Sequence, residues 1–436
     1  MNAVCRHRRA IILLLIILIG GTSSNAGERF DISGYFKSFS VAYGLPDFAV
    51  AGQVPDSIVA LYNDLPWLGS VSNRLRVQTQ FRAASWLRLS AAYDISPRVQ
   101  DQAIMASAAL LDFGIISGPY RFDDLDSRLY PRPGKPMTNF GIYQNLDRLQ
   151  ASIQTAWADI TIGRQAIAWG TARVVNPTDF IAPFAYGELD TEDRFGVDAI
   201  RIRRPLGLLG EIDLGYVGGH NWDWDHSAAF LRGGFNHSGA DFSGVVAAFR
   251  GNLMVGGDIT KSIGGAGTWL EVSQTWDEAF DTDDTTGRDF FRLTIGADYC
   301  FSGRLYGFAE YHYNGAGFKK SGDYTDAIHS AAYTEGAVYL LGRHYLIGGA
   351  SYQVTPLITA TAEVVGNVSD LSAYLSPGID YNIAEDIYLS AGAFIGLGES
   401  PSLEAGILDM TRVREIIRSE FGSYPDFCYL SFGTYF

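Results

Sequence analysis

Read two residues at a time, the stretch Arg74–Arg82 (RLRVQTQFR) has two unlike faces: Leu75, Val77, Thr79 and Phe81 on one, Arg74, Arg76, Gln78, Gln80 and Arg82 on the other. The same division recurs in Leu87–Asp94, Arg148–Gln154 and Glu211–Tyr216. A period of two marks a β-strand whose faces meet different surroundings. A soluble sandwich alternates too, but it does not string such strands together as hairpins whose second face is strongly charged. Strands of about ten residues, apolar outside and polar inside, are what a tilted membrane-spanning barrel requires.

The head of the chain is consistent with export. Arg6, Arg8 and Arg9 precede the Ile/Leu run Ile11–Ile19, and small residues follow down to Ser24-Asn25-Ala26. A basic start, a short apolar core and a small-residue exit describe a secretory signal peptide over residues 1–26, cleaved after Ala26. The apolar run is about half of the ~20 residues that a helical span needs. Cys5 lies ahead of that run, not after it, which argues against a lipoprotein anchor. No later stretch offers 18 consecutive apolar residues, so helical spans are excluded from residues 27–436. Taking three arginines from the 33 basic residues leaves 30 against 48 acidic ones, a formal charge of −18. That balance argues against nucleic acid or anionic lipid headgroups as partners.

Eighteen segments carry strand patterning, from 31–43 to 426–436. An even number suits a single-chain bacterial barrel. The region His226–Lys261 is weakly patterned and leaves sixteen strands as the alternative count. With the C-terminus in the periplasm, the long connections 44–71, 96–145, 166–194, 277–288, 314–339 and 398–425 all fall outside. The turns at Ala84, Trp157, Pro205-Leu206, Ser302-Gly303, Thr355 and Asn382-Ile383 fall on the periplasmic side. Cys300 and Cys428 then lie at opposite ends of the barrel, too far apart for a disulfide. The expected fold is all-β, a transmembrane antiparallel up-and-down β-barrel over residues 27–436.

The last strand, Phe427–Phe436, closes on an aromatic and resembles the assembly signal of Gram-negative outer-membrane barrels. That resemblance implies that Phe432 and Phe436 are read by the barrel-assembly machinery. A second resemblance lies in Gly163, Arg164, Gln165, Ile167, Trp169 and Gly170, followed by Asn176, Pro177 and Asp179. It is similar to a segment recurring in Gram-negative outer-membrane channel families, among them alginate-export-like and other substrate-selective porins. Glu188–Gly207 and Ser419–Asp426 resemble parts of the same group. The resemblance implies a channel or envelope protein of no assigned substrate, and it transfers no catalytic residue.

The segment 166–194 leaves the wall carrying turn chemistry at Asn176-Pro177-Thr178-Asp179 and aromatics, Phe180, Phe184 and Tyr186, that a freely solvated loop would not keep. A barrel of this girth has an interior to fill. We expect the loop to fold inward and narrow the pore, with Arg164, Trp169, Asn176, Asp179 and Phe180 at the constriction. Arg164 would pin it by pairing with Asp179 or Glu188.

Alternation sends Arg74, Arg76, Arg82, Arg88, Arg148, Arg201 and Arg203 into the lumen, with Glu211, Asp213, Glu310 and His312 on later strands. Basic rings attract anions. The alternation of Arg201 and Arg203 would send Asp198 to the lipid side unless a bulge intervenes. The acidic groups Asp123-Asp124-Asp126, Asp223-Asp225 and Asp277–Asp284 lack EF-hand spacing and read as solvated loops, with Trp222 and Trp224 either stacking on sugar rings or serving as interface anchors. Residues 401–421 read as a loop helix, with Leu403, Ile407, Met410, Val413 and Ile417 as its apolar stripe.

Three functions compete. A channel for small polar or anionic solutes fits the charged lumen. A scaffold or receptor follows if the inward loop seals it. A hydrolase would need a nucleophile, a base and an orienting group. Glu310 and His312 share one face of GFAEYHYNG and could supply the last two, but no G-x-S-x-G elbow or metal-binding His pair accompanies them. The channel is the reading adopted, in contact with outer-membrane lipid and lipopolysaccharide, with no enzymatic activity, metal or cofactor expected.

Overall fold

The computed structural model describes residues 29–436 apart from 52–53, 55–58, 60–66, 102–103, 105–119, 123, 126, 185, 281–288, 335–337 and 406–412. The proposed signal peptide, Asp123, Asp126, Asp281, Asp283, Asp284, Ile407 and Met410 lie outside the described residues.

Eighteen strands form the wall: β1 (Phe30–Gly44), β2 (Leu68–Ala84), β3 (Leu87–Gln100), β4 (Phe140–Gln154), β5 (Asp159–Gln165), β6 (Val197–Leu206), β7 (Gly210–Val217), β8 (Ala228–His237) and β9 (Ala240–Phe249). They continue as β10 (Asn252–Ile263), β11 (Ala266–Trp276), β12 (Phe290–Cys300), β13 (Leu305–Asn314), β14 (His344–Thr355), β15 (Ile358–Asn367), β16 (Ser372–Ala384), β17 (Ile387–Leu397) and β18 (Asp426–Tyr435). Each pairs antiparallel with the next, and β18 returns to β1 from Tyr35↔Tyr435 to Gly44↔Asp426, so the cylinder closes. Closure removes every unpaired strand edge. The count of sixteen falls away because β8, β9 and β10 are regular hairpins.

One end carries only short turns, none longer than the four residues 155–158 or 301–304. Two of them, Ser238-Gly239 and Gly264-Gly265, have positive φ at both positions. That backbone matches the right-handed twist of the flanking strands. The opposite end carries 45–67, 101–139, 166–196, 277–289, 315–343 and 398–425, as the topology read from the sequence requires.

Leu75 and Val77 point outward at 39% and 37% exposure, whereas Arg76 between them is 1% exposed. Leu89, Leu149, Ile162, Ile200, Leu214, Leu231, Val246, Val255 and Ile295 continue this outward apolar belt. Trp86, Trp157, Phe235 and Phe301 edge it at the short-turn end, and Trp67, Phe140, Trp222 and Trp276 at the other. An apolar band between two aromatic rims is the lipid face of a barrel. Trp222 stacks on Tyr216 at 5.8 Å, and Trp224 meets Phe280 edge-on. Cys300 and Cys428 are free and exposed.

The lumen is not empty at the long-loop end. One apolar core joins Ile167, Trp169, Phe180 and Ile181 to Val197, Val217, Phe230 and Phe249 of the wall. A second joins Val175, Leu340 and Phe421, one from each of three inward connections, to Tyr345, Val365, Tyr374 and Phe427.

Among the described residues of 401–421 the expected helix is absent. Ser402–Ala405 instead lies between Ala49–Ala51 and Val413–Ile416 in a three-stranded sheet, and Leu403 is fully buried against Phe48 and Val54. Most helical stability in a folded chain comes from tertiary packing, not from local periodicity. Here the distant segment Ala49–Ala51 offers a partner for extended backbone, and local periodicity carries no sign of it.

Candidate functional site

The feature that shapes the lumen is the connection from Gln165 to Val197. It leaves β5 through Trp169-Gly170. Gly170 has φ +110°, and a side chain there would collide with Asn176. Asn176 accepts a hydrogen bond from the Asp179 N–H at 3.2 Å through its backbone carbonyl, closing the expected turn. Trp169 and Phe180 lie 5.7 Å apart between the loop and the wall, with Trp169 edge-on to Phe230 at 4.6 Å and Phe180 stacked on Phe249 at 4.5 Å.

Across the lumen the loop meets an acidic wall. Glu271 of β11 accepts hydrogen bonds from the Thr171 N–H (2.8 Å), the Ala172 N–H (3.2 Å), and both the N–H (2.8 Å) and hydroxyl (2.7 Å) of Thr178. Glu310 of β13 takes the N–H groups of Arg173 and Val174 and the Trp269 indole. Between them on β12, Arg292 donates to the Pro177 carbonyl at 2.6 Å and Thr294 to the Val175 carbonyl at 2.9 Å. Backbone groups with no partner in an irregular loop are thus satisfied by wall side chains, as a water-poor interior demands. Asp179 is 1% exposed and pairs with Arg194 at 3.0 Å. Burial pushes its carboxyl up to about 6 despite the guanidinium.

The far end of the loop is held differently. Asp190 bridges Lys37 and Arg74 at 2.6 Å each, Glu192 reaches Lys37 and the Tyr435 hydroxyl at 2.6 Å, and Asp193 accepts from Tyr35 at 2.8 Å and lies 3.4 Å from Arg76. Burial opposes ionisation of Asp190, but the Lys37 ammonium and the Arg74 guanidinium outweigh it and hold the carboxyl below the usual range. Arg74 and Arg76 are also anchored to the wall, both on Asp94 and Arg76 on Asp147 at 2.8 Å.

Below the loop lies a cavity of about 390 Å³ lined by Gln80, Arg88, Ser90, Arg148, Gln150, Ser152, Thr161, Gln165, Ala166, Arg201 and Arg203. Its walls come from β2 to β6, near the short-turn end. Arg201 is paired with Asp213 through two bonds, and Arg148 donates to the Arg194 carbonyl at 2.6 Å, so the cavity roof and the loop share a residue.

The structure places the residues expected to line the pore in different settings. Arg88, Arg148, Arg201 and Arg203 meet in the cavity. Arg74 and Arg76 face inward but are spent in ion pairs, and Arg82 sits opposite Arg88 at the exposed rim. Glu310 and His312 do not line water: both lie beneath the loop, where His312 Nδ1 meets the Thr294 hydroxyl at 2.8 Å. With the Glu310 oxygens on loop N–H groups, the acid–base pair that a hydrolase would need is not assembled. Arg164 does not bind Asp179 or Glu188 as its main partners. It clamps Asp198 through two bonds at 2.8 and 2.9 Å and reaches Asp124 at 2.7 Å. Asp198 is thereby shielded at the outer rim, and Asp124 is an ion-pair member instead of a solvated loop acid. The residues that sequence reasoning passed over are Glu271, Lys37, Asp190 and Asp193. Glu271 was legible as an inward position of AGTWLEVSQTW, two residues from Trp269.

No protein-family profile matches the chain. No curated protein matches it in sequence. Among solved structures, OccAB2 of Acinetobacter baumannii superposes with a TM-score of 0.53 at 8% identity, over 93% of this chain and 98% of that one. OccK9 (OpdG) of Pseudomonas aeruginosa does so with 0.53 at 10%, over 92% and 98%. OpdK of Pseudomonas aeruginosa, in its structure with vanillate, gives 0.51 at 7%, over 93% and 98%. Identity this low speaks for architecture alone. Strand number, closure, the one-sided distribution of loops and these superpositions agree, and the chain has the fold of the 18-stranded outer-membrane porins.

Proposed function

We propose that the chain, exported on residues 1–26, is a Gram-negative outer-membrane channel for passive diffusion of small polar or anionic solutes, its lumen constricted by the loop 166–194. The carrying observation is the cavity inside the barrel, whose lining includes four arginines, three glutamines and no carboxylate. Basic side chains facing a confined aqueous space attract anions and repel cations. Arg148 and Arg201 are paired with Asp147 and Asp213, so the net positive field of the cavity rests on Arg88 and Arg203. OpdK was crystallised with vanillate, a small molecule of the size this space would admit. The likeness to alginate-export-like porins is confined to short segments, chiefly the inward loop, and brings no substrate with it.

Phe436 is 61% exposed, and its backbone exchanges hydrogen bonds with Gly34 at 2.9 and 3.0 Å, so the terminal aromatic is presented outward at the seam. That placement supports recognition of Phe432 and Phe436 by the assembly machinery.

A scaffold without an open pore is the second reading, favoured by the two apolar cores that fill the upper lumen. Planar-bilayer recording with liposome-swelling assays separates the two. A channel conducts, prefers anions, and swells liposomes in small organic acids faster than in cations of equal size. Replacing Arg88 and Arg203 with Gln should bring the anion-to-cation permeability ratio toward unity. A folded barrel silent in both assays refutes the channel.

A further inference from the structure

The loop end Asp190–Asp193 carries an inference that rests on the channel reading and goes beyond it. Three carboxylates in four residues lie on three adjacent strands: Lys37 and Tyr35 of β1, Arg74 and Arg76 of β2, and Tyr435 of β18. The contacts that fix this segment to that wall are ionic or polar, in contrast to the apolar cores that hold Ile167 and Phe180.

Two details set this contact apart from the rest of the loop. First, Arg74 and Arg76 keep wall partners of their own, Asp94 and Asp147. Their positions do not depend on the loop, so the wall survives its departure. Second, Lys37 takes both of its carboxylates, Asp190 and Glu192, from the loop. At the strap itself Asp190, Glu192 and Asp193 face Lys37, Arg74 and Arg76, and Arg74 and Arg76 already hold Asp94 on the wall. The loop carboxylates thus share cations with acids already in place, and like charges at this spacing repel. Glu192 is 44% exposed, so water and ions reach the outer edge of the contact.

We propose that Asp190, Glu192 and Asp193 form an acidic strap that closes the lumen against the Lys37–Arg74 wall, occupying the cationic groups that a permeating anion would otherwise meet. The strap is an internal competitor of the solute. An arriving anion takes a cation from it, the strap lifts, and the solute passes to the cavity through Arg148, which touches both the cavity and the strap's end at Arg194. No bond is made or broken; the exchange is of one counter-ion for another.

The test is single-channel recording of the full-length protein beside a triple variant, Asp190→Asn, Glu192→Gln, Asp193→Asn, with heat-modifiable gel mobility as the check on folding. A charged hydrogen bond biases an equilibrium by about tenfold. The variant should raise the open-to-closed ratio by about tenfold or more. Its conductance should follow bulk conductivity from about 0.1 to 1 M KCl, whereas the wild type should open more steeply as screening shortens from about 10 to 3 Å. If the triple variant does not fold, Glu192→Gln alone, at the solvated edge, should show the same direction. A folded variant with wild-type open fraction and salt slope overturns the strap and leaves the channel standing. Silence of both proteins overturns the two together.

Discussion

Between Ile167 and Ala182 the inward loop sits in a dry environment, its aromatics in an apolar core and its N–H groups on two buried glutamates. Between Asp190 and Asp193 its carboxylates and their partners Lys37 and Arg74 are 10–44% exposed, while Arg76, Asp94 and Asp147 behind them are buried. Both stretches belong to one connection and both cross the lumen. The first is fixed by desolvation, which is costly to undo because each unpaired buried group costs about 1–3 kcal/mol. The second is fixed by charge, which water, salt and a competing ion can replace. The contrast teaches where a constriction can be rigid and where it can give.

The largest effect should come from Glu271→Ala. It strips partners from the Thr171, Ala172 and Thr178 N–H groups in a place that water reaches poorly. With about 1–3 kcal/mol for each group left unpaired, the first half of the loop should detach from the wall. Limited proteolysis within 167–182 and near-ultraviolet circular dichroism would report it, while the barrel keeps its heat-modifiable mobility. Protection of that segment equal to wild type would break the comparison, since the glutamate would then be dispensable. Trp169→Ala comes next. A buried aromatic truncated to Ala costs about 3–5 kcal/mol, and here the loss falls between loop and wall. Detachment should again be read by proteolysis, and the conductance should rise as the loop loosens.

Asp190→Ala is expected to do less to stability and more to salt dependence. Lys37 and Arg74 each lose a carboxylate at 2.6 Å, but Arg74 retains Asp94 and Lys37 keeps Glu192. Partly exposed ion pairs contribute on the order of 1 kcal/mol or less. Thermal unfolding should stay within a few degrees of wild type, whereas open fraction shifts at low salt. A drop in stability as large as that of Glu271→Ala would erase the distinction between the two halves.

How far the chain could be read without coordinates follows the same physics. Where wall positions alternate between lipid and water, as in Arg74–Arg82, two residues of sequence suffice to assign a side. Alternation faded over His226–Lys261 because outward positions Gly233, Gly244 and Gly257 are paired neighbours in the sheet and bring no side chain to the lipid face. Strand existence was still recoverable there from the flanking Leu231, Phe235, Val246 and Val255. The inward loop was legible from its turn residues and its misplaced aromatics. Its partners were not, because Glu271 meets Thr171, and Arg74 meets Asp190, across about a hundred residues of chain in each case, and spacing carries no trace of such contacts. The same blindness explains Glu310 and His312. Both are buried, and parity cannot say whether water or a loop lies inside.

The smallest effect tests whether a buried acceptor behaves alike in a second loop. Glu420, fully buried in the last long connection, accepts from the Leu341 N–H at 2.9 Å, from Asn367 at 2.8 Å and from the Tyr345 hydroxyl, and so anchors 315–343 much as Glu271 anchors 171–178. Burial pushes its carboxyl from 4.5 up to about 7, with Asp370 nearby adding to the rise and the Tyr345, Leu341 and Asn367 donors opposing it. A folded pKa raised above the unfolded one means that the folded state binds the proton more tightly. The contribution of Glu420 is then complete below pH 4.5 and declines as pH climbs through about 7. Hydrogen-exchange protection of Leu341 and Gly342, corrected for intrinsic rate, should fall across that window in the wild type and stay flat in Glu420→Gln, with barrel-strand amides unmoved in both. A flat wild-type profile would mean that the donors hold Glu420 ionised throughout. The two carboxylate anchors would then be alike in charge as well as in place, and the dry half of the lumen would carry no proton-sensitive contact at this position.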